Sequence, residues 1–243
     1  MKTSIKIFLS SIALLGAAVV IYDLQLDAAY RKGDYTKPFY NYVKMNFTGF
    51  DRIDMNSSTA FNILLVPGEY KVLVSPNVLD YLDIHQEGTT LVVNAHFLDH
   101  FRDAFGDYSL YVSCPTLKTF KADARYSVGK TLMTDSTVRF VWYQPMVISG
   151  FNLDSLDIAA QNGTKLALKN DTIRKLTANL ARGADLTLDK GNQFSGGDMK
   201  IMNGARLSVE TRGMQRLNYH LADSAELNIN GAAAKQLLKI NQP

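Results

Sequence analysis

The residues whose types suit chemistry are few, and their spacing does not assemble a catalytic or metal site. The chain contains four histidines, which are His85, His96, His100 and His220. His96 and His100 lie four positions apart with Asp99 between them, a spacing that suits zinc ligands on one face of a helix. The segment, however, follows a predicted strand and is otherwise apolar. We therefore interpret it as a short surface helix or loop and predict no metal site.

The single cysteine, like the histidines, is not predicted to take part in catalysis. Cys114 follows a strand-like run and precedes Pro115, and no neighbouring histidine would activate its thiol. A buried structural thiol is the better interpretation, and one cysteine cannot form an internal disulfide. The sequence also lacks a Gly-x-Ser-x-Gly elbow, a Walker loop and a dinucleotide fingerprint. We predict no catalytic residue, no cofactor-binding residue and no cofactor.

A repeated pattern in the C-terminal third is the strongest structural signal. Its four copies begin 20, 21 and 20 residues apart and occupy 163–168, 183–188, 204–209 and 224–229. In each copy two apolar residues flank a small or polar one, as Leu186 and Leu188 flank Thr187, and this period of two is that of a strand. A fixed period near 20 residues is typical of a solenoid, whose coils bury their apolar faces by stacking.

Stacking of the copies also predicts a register. The residues that precede the apolar pairs are Lys165, Asp185, Arg206 and Glu226. If equivalent positions stack about 4.8 Å apart, these four form an outward ladder of alternating charge. The ladder separates acids by bases, so it offers no cluster of carboxylates of the kind that glycoside hydrolysis needs. Turns such as Asn162-Gly163 precede each strand and suit a tight change of direction.

A second apolar pattern precedes each turn and predicts a second strand in every coil. It occupies 153–158, 173–178, 199–201, 214–219 and 237–240, with 117–120 as an earlier copy. The longer interval between Phe120 and Leu156 predicts an insertion around 138–150. Two strands in each coil favour a β-helix or β-solenoid. The alternative is a leucine-rich repeat, but the Asn-Gly turn and the second strand stand where that repeat places its helix.

The amino terminus is predicted to be a membrane-targeting segment. Lys2 and Lys6 precede an uncharged run from 7 to 22, which with its neighbours approaches the length that spans a bilayer. We predict a signal anchor or transmembrane helix over 1–24, with the amino terminus inside and the rest outside the cytoplasm. A cleaved signal peptide is the alternative, since Gly16-Ala17-Ala18 would serve as its cleavage site. Residues 25–46 are interpreted as a juxtamembrane stalk.

The remainder, 47–243, resembles a known family in the order of its motifs. A Phe47-x-x-Phe-x-x-Ile-x-Met opening, a strand pair joined through Pro67-Gly68, a Gly88-x-x-Leu-Val-Val strand and a Pro115-x-Leu-x-x-Phe entry carry the resemblance. The family is named "putative auto-transporter adhesin, head GIN domain" and is common in Bacteroidetes envelopes. The resemblance implies a right-handed β-helix-like extracytoplasmic domain and no catalytic residues. One departure is the run 122–125, where such proteins often have Gly.

The fold class predicted is therefore all-β, a right-handed parallel β-helix or solenoid with coils of about 20 residues. Its entry strands span 47–115 and its regular coils 116–243. The function predicted is a non-enzymatic, membrane-anchored, adhesin-like protein of the periplasm or cell surface that binds a glycan or an envelope protein. A polysaccharide-acting β-helix hydrolase or lyase is the alternative. A net charge of +3 with 20% charged residues gives no electrostatic case for nucleic acid.

Overall fold

The computed structural model describes residues 3–33, 38–98, 108–134 and 145–240. About 50% of the chain is strand, so the protein is mostly β. Its contacts divide it into two units, 1–41 and 42–243. The first unit contains the helix α1 and the second contains every strand that the structure describes.

The helix α1, Thr3–Lys32, is long and apolar enough to cross a membrane by length and composition. It extends ten residues beyond the uncharged run that predicted it, which ends at Tyr22. Its last turn carries Arg31 and Lys32, whose positive charges suit the carbonyl end of a helix. The helix ends at Gly33, which has a φ of 64° and donates a hydrogen bond to Tyr30 O at 3.0 Å.

The strands of the second unit form two sheets. Sheet A consists, in spatial order, of β1 (Val43–Met45), β4 (Lys71–Val74), β7 (Leu110–Cys114), β3 (Ile63–Pro67), β11 (Met146–Ser149), β13 (Lys165–Lys169), β15 (Asp185–Leu188), β17 (Arg206–Val209) and β20 (Glu226–Ile229). Sheet B consists of β10 (Thr131–Thr134), β9 (Arg125–Val128), β6 (Thr90–Phe97), β2 (Arg52–Met55), β8 (Thr119–Ala122), β12 (Asn152–Ala160), β14 (Thr172–Leu180), β16 (Gln193–Ile201) and β18 (Gly213–Met214). Two more strands extend sheet B, since β5 (Leu82–Glu87) pairs with β6 and β19 (Leu217–Leu221) pairs with β16.

From β11 onward the chain alternates between the sheets, and the predicted register is confirmed. Leu186 pairs with Leu166 on one side and with Leu207 on the other, and all three are buried. The strands of these coils pair in parallel at offsets of 20 or 21 residues, as Lys165 with Asp185 and Asp185 with Arg206 show. The turn into β13 has positive φ at both Asn162 (56°) and Gly163 (75°).

The passage from sheet A to sheet B is held by buried polar side chains. These corner residues are Asp171, Asn192 and Thr211, and each has no exposed surface. Asp171 Oδ1 accepts a hydrogen bond from Phe151 N at 2.8 Å, and Asn192 Oδ1 accepts one from Asp171 N at 2.8 Å. Thr211 donates its hydroxyl to the carbonyl of Asn192. The corner residues therefore satisfy backbone groups where strand pairing stops.

Before β11 the sheets are mixed, so a purely parallel β-helix does not describe the whole second unit. The pairs β1–β4, β4–β7, β5–β6 and β9–β10 are antiparallel. A short 3-10 turn, Leu79–Tyr81, leads into β5. β5–β6 and β9–β10 are hairpins, in which a tight turn returns the chain beside the strand that it has just left, whereas β1–β4 and β4–β7 join strands distant in sequence. Neither kind of pairing continues the parallel repeat.

Three details of the predicted repeat are wrong. The pattern at 237–240 belongs to helix α2, Gly231–Ile240, because Ala233 and Leu237 lie four apart and both face the core. Phe120 pairs with Ile158 rather than with Leu156, so the earlier copy is shifted by two residues. The copy at 199–201 begins earlier than predicted, since Phe194 pairs with Ile173 and Met214.

The insertion also differs from its prediction around 138–150. The hairpin of β9 and β10 lies before these residues, and Met146–Ser149 forms β11, a regular strand of sheet A between β3 and β13. Residues 138–144 of the predicted insertion lie outside the described residues. Sheet pairing of β11 could not be read from the sequence, because no turn like Asn162-Gly163 precedes it.

Candidate functional site

The outward face of sheet B offers a long polar surface whose shape is set by a bend in its strands. In β12 both Asp154 and Ser155 are exposed, whereas Leu153 and Leu156 on either side are buried. Two successive outward residues break the period of two, and the strand turns at that point. Pairing with β14 is regular before and after this break. The pairing is also interrupted at the equivalent residues Arg174 and Ser195 of the next two coils, so these positions lie in a row along the stack and form a channel.

The first groove follows this channel and has a volume of about 520 Å³. Its polar lining comes from equivalent positions of consecutive coils, namely Asn152, Asp154, Thr172, Arg174, Gln193, Ser195 and Gln215. Arg174 Nε donates to Asp154 Oδ1 at 3.2 Å, and both side chains are well exposed. An ion pair so open to solvent contributes little to stability. Both groups are therefore accessible to a ligand.

The second groove, of about 310 Å³, lies nearer the entry strands and is organised by Asp123. The Asp123 side chain accepts hydrogen bonds from Asn162 Nδ2 at 2.6 Å, from Gln161 Nε2 at 2.8 Å and from Ala124 N at 2.7 Å. Arg125 Nε lies 2.8 Å from Asp123 Oδ2, the oxygen that also accepts from Gln161. Asp123 thus ties the end of β8 to the first turn of the coils.

Asp123 belongs to the run 122–125, which contains no Gly. A Gly at the position of Asp123 would leave the amides of Gln161 and Asn162 without this carboxylate partner. Asp54 lines the same groove, and burial raises its pKa against the opposing effect of Lys121. Sequence reasoning missed this pair of carboxylates, because Asp54 belongs to β2 and Asp123 follows β8, outside the repeat that was aligned.

The residues singled out in the sequence do not converge. His96 lies at the end of β6, so the predicted helix or loop is wrong there, and its Nδ1 lies 2.7 Å from Ser127 Oγ. Asp99 and His100 lie outside the described residues. His220 is on β19, far along the stack. Among the described residues no group of three His, Cys, Asp or Glu side chains could hold a metal ion.

Cys114 is a buried thiol, as predicted. It lies at the end of β7 with no exposed surface, and burial raises the pKa of its thiol to about 12. A thiol with so high a pKa stays protonated and is a poor nucleophile at neutral pH. The backbone N–H of Gly68 donates to the carbonyl oxygen of Cys114 at 3.1 Å, so Cys114 lies where β7 pairs with the end of β3.

The two grooves suit recognition better than chemistry. Amide, hydroxyl and guanidinium groups arrayed along one line can donate and accept hydrogen bonds to a polar chain that lies across several coils. Asp123 has four donors around it, so among the described residues that line the second groove Asp54 is the carboxylate outside such a network. Glycoside hydrolysis generally needs two carboxylates on either side of the bond.

Three solved structures from Bacteroidetes are similar to this chain at low identity. One from Bacteroides fragilis NCTC 9343, described as a "putative adhesin", is 11% identical with a TM-score of 0.49 and covers 78% of this chain and 95% of its own. A "putative adhesin" from Parabacteroides merdae ATCC 43184 is 14% identical with a TM-score of 0.37, covering 79% and 93%. A "putative lipid binding protein" from Parabacteroides distasonis ATCC 8503 is 13% identical with a TM-score of 0.32, covering 79% and 94%.

No protein-family model matches the chain, and no curated protein sequence matches it either. Similarity to solved structures at this level of identity does not transfer a ligand or an activity, because one fold supports many functions.

Proposed function

We propose that this protein is a non-enzymatic, membrane-anchored binding protein of the cell envelope. In this proposal 1–24 anchor the chain, 25–46 form a juxtamembrane stalk, and 47–243 form a head GIN-like β-solenoid outside the cytoplasm. The entry strands are 47–115 and the coils 116–243. A right-handed path of the coils is part of the proposal, since crossovers between parallel strands are nearly always right-handed.

The observation that supports binding is the first groove, with its polar residues repeated over four coils. Rows of hydrogen-bonding groups about 4.8 Å apart match a polymer with many hydroxyl groups better than a small apolar molecule. We propose a glycan chain of the envelope or matrix as the ligand. The exposed Thr172 and Gln193 would contact it directly, because they occupy the middle of the groove.

A glycan array probed with the full chain in detergent tests this proposal. We expect binding to a restricted set of glycans, weakened about tenfold or more by the double variant Thr172→Ala and Gln193→Ala. The matched control is Ser208→Ala, which removes a hydroxyl from the outward face of sheet A instead. Equal weakening by the control, or no glycan bound, would count against the groove.

The location has its own test. Lys2 and Lys6, which precede the uncharged run 7–22, and the apolar helix support an anchor with the domain outside the cytoplasm. A reporter fused after residue 40 should be extracytoplasmic and should stay with the membrane after carbonate washing. Recovery of a soluble chain that begins near Val19 would show instead that the segment is a cleaved signal peptide.

A polysaccharide-acting hydrolase or lyase is the second candidate, and Asp54 is the observation that favours it. Burial raises the pKa of this carboxyl in a polar groove, which is how general acids are tuned. Incubation with the glycans that the array identifies would release reducing ends if the protein were an enzyme, and Asp54→Asn would abolish the release. We expect no release from the unaltered protein.

A further inference from the structure

The stack of coils ends in two strands that have a neighbour on one side only. Among the described residues β20 pairs with β17 alone, and β19 pairs with β16 alone. In a parallel pair alternate residues direct their backbone groups to opposite sides. The N–H and C=O groups of Leu227 and Ile229 therefore point away from β17. An edge of this kind is a template for one more strand.

The apolar face at this end is incompletely covered. Tyr219 and Leu221 pair with Met199 and Ile201, which are 2% and 0% exposed, yet they themselves are 57% and 43% exposed. The side chains of the last coil thus face the core direction without a coil on top of them. An exposed apolar surface that continues a core is typical of an interaction site.

Helix α2 covers only part of the end. It buries Ala233 and Leu237 and packs against β18, where Met214 is fully buried. Leu227 and Ile229 of β20 remain half-buried, and Tyr219 and Leu221 of β19 remain exposed. The opening therefore coincides with the two edge strands.

The charge ladder ends at the same edge. Arg206 Nε lies 2.7 Å from Glu226 Oε2, and Arg206 Nη1 lies 3.9 Å from Asp185 Oδ2, so the alternation predicted from sequence is present. Arg206 has a carboxylate on both sides. Glu226 has a cation on the side of Arg206 only, among the residues that the structure describes. The next position of the ladder would hold a basic residue.

We propose that β20 binds, by parallel strand addition, an extended segment of another polypeptide with the pattern basic, apolar, polar, apolar. Its basic residue lies beside Glu226, and its two apolar residues extend the rows that end at Leu227 and Ile229. The coil that precedes β20 has this pattern itself, as Arg206-Leu207-Ser208-Val209. A second copy that presented its own β20 would bring no cation, since that strand contains none.

This inference concerns the end of the stack and does not depend on the groove of the proposed function. The probe is a fluorescently labelled peptide with the sequence of 204–210, in which Arg stands at the third position. A second peptide carries Glu in place of that Arg. Affinities of both for the full chain in detergent are measured by anisotropy, and amide hydrogen exchange reports where they bind.

We expect the Arg peptide to bind about three- to fivefold more tightly than the Glu peptide, as one exposed ion pair allows. Exchange at Leu227 and Ile229 should slow on binding. Glu226→Lys should reverse the preference between the peptides. The matched control is Asn228→Lys, which places the same charge on the same strand away from the ladder and should leave the preference for the Arg peptide in place.

Three results would overturn the proposal. They are equal affinity of the two peptides, an unchanged preference in Glu226→Lys, and no binding of either peptide at about 1 mM. A chain that is already dimeric through β20 would also overturn it, since the edge would then belong to a second copy. Circular dichroism and melting of each variant confirm that the coils stay folded.

Discussion

The coils from β11 to β20 pack their core differently from the strands before them, β1 to β10, which include the entry strands of 47–115. The coils stack aliphatic residues of similar size in register, as Leu166, Leu186 and Leu207 do. The entry strands enclose an aromatic cluster around Phe97, whose ring lies 5.8 Å from that of Phe61 and 5.7 Å from that of Tyr126. Stacked coils pack well when side chains of similar size repeat, whereas an irregular core can be filled by a few large aromatic side chains.

An exception within the coils supports this interpretation. Gly197 occupies the place of Leu176 in the coil before it. A Cβ on Gly197 would lie 2.9 Å from Met199 Cε and 3.4 Å from Met214 Sδ, so flexible methionines fill the space of the missing side chain. The register survives a change of size where a neighbour can adapt.

The largest expected effect is a difference in stability between a variant in the buried row of Leu186 and one in the outward row of Thr187. Leu186→Asp places an unpaired charge where no surface is exposed, and we expect a loss above about 4 kcal/mol in the free energy of unfolding. Thr187→Asp, on the outward face, should change the free energy of unfolding by about 0.5 kcal/mol or less. Urea unfolding measures both.

Amide exchange in the same variant tests the comparison of the two regions. Because a stack is stabilised by contacts between neighbours, Leu186→Asp should open the coils across roughly 150–230. The amides around Phe97 should stay protected. Equally increased exchange in both regions would show that the coils and the entry strands unfold as one unit. Similar melting temperatures of Leu186→Asp and Thr187→Asp would contradict the register.

The sequence predicted the coils better than the entry strands. The register of β13, β15, β17 and β20 was predictable because each position repeats a residue type at a fixed interval. The hairpins of the entry strands and the bonds of Asp123 were not, since they join residues such as Asp123 and Asn162 without any repeat. Helix α2 was missed because four residues with two apolar ends fit a strand as well as a helix.

The grooves left a signal that was overlooked. Two consecutive polar or small residues recur at the bend of each coil, as Asp154-Ser155 and Arg174-Lys175 show. Such a pair interrupts a strand pattern and indicates a bend. The depth and volume of the channel depend on how several coils align, which no single coil encodes.

The next effect is a dependence on pH that has opposite signs in the two regions. Burial raises the pKa of Asp171 in the coils to about 7, against an ordinary value of 3.8, although backbone N–H groups oppose this. Between these values the folded state holds a proton that the unfolded state has lost. Stability should therefore fall as pH rises from about 4 to 7, by at most about 1.4 kcal/mol per pH unit.

The matched variant in the entry strands is Asp51→Asn. A hydrogen bond from Lys118, with Nζ 2.6 Å from Oδ2, lowers the pKa of Asp51, so its contribution is lost only as pH falls below its ordinary value. Urea unfolding from pH 4 to 8 should therefore lose its slope in Asp171→Asn, which copies the Asn192 of the next coil, and keep it in Asp51→Asn. An unchanged slope in Asp171→Asn would rule out this carboxyl as the cause.

A smaller effect concerns the glycine corners that lie over one another in consecutive coils. Gly183 has a φ of 78° and lies over Gly163, whose nitrogen would be 3.7 Å from an added Cβ. That distance is an ordinary contact, so Gly183→Ala should cost only the backbone strain, about 1 kcal/mol. Gly196→Ala is the control, because it has open space and no positive φ. Thermal melting should place the control within about 0.5 kcal/mol of the unaltered chain.

The smallest expected effect is the coupling energy of an ion pair in the charge ladder, which can be compared with that of the ion pair between Lys118 and Asp51. A double-mutant cycle on Arg206 and Glu226 should give a coupling of about 0.5 kcal/mol, because the Glu226 side chain is 57% exposed. The equivalent cycle on Lys118 and Asp51 should give more, since Asp51 is 15% exposed. In 1 M salt the first coupling should vanish while the second persists, because screening acts mainly on exposed charges. If the ladder coupled more strongly than the entry pair, its charges would hold the coils together as well as align them.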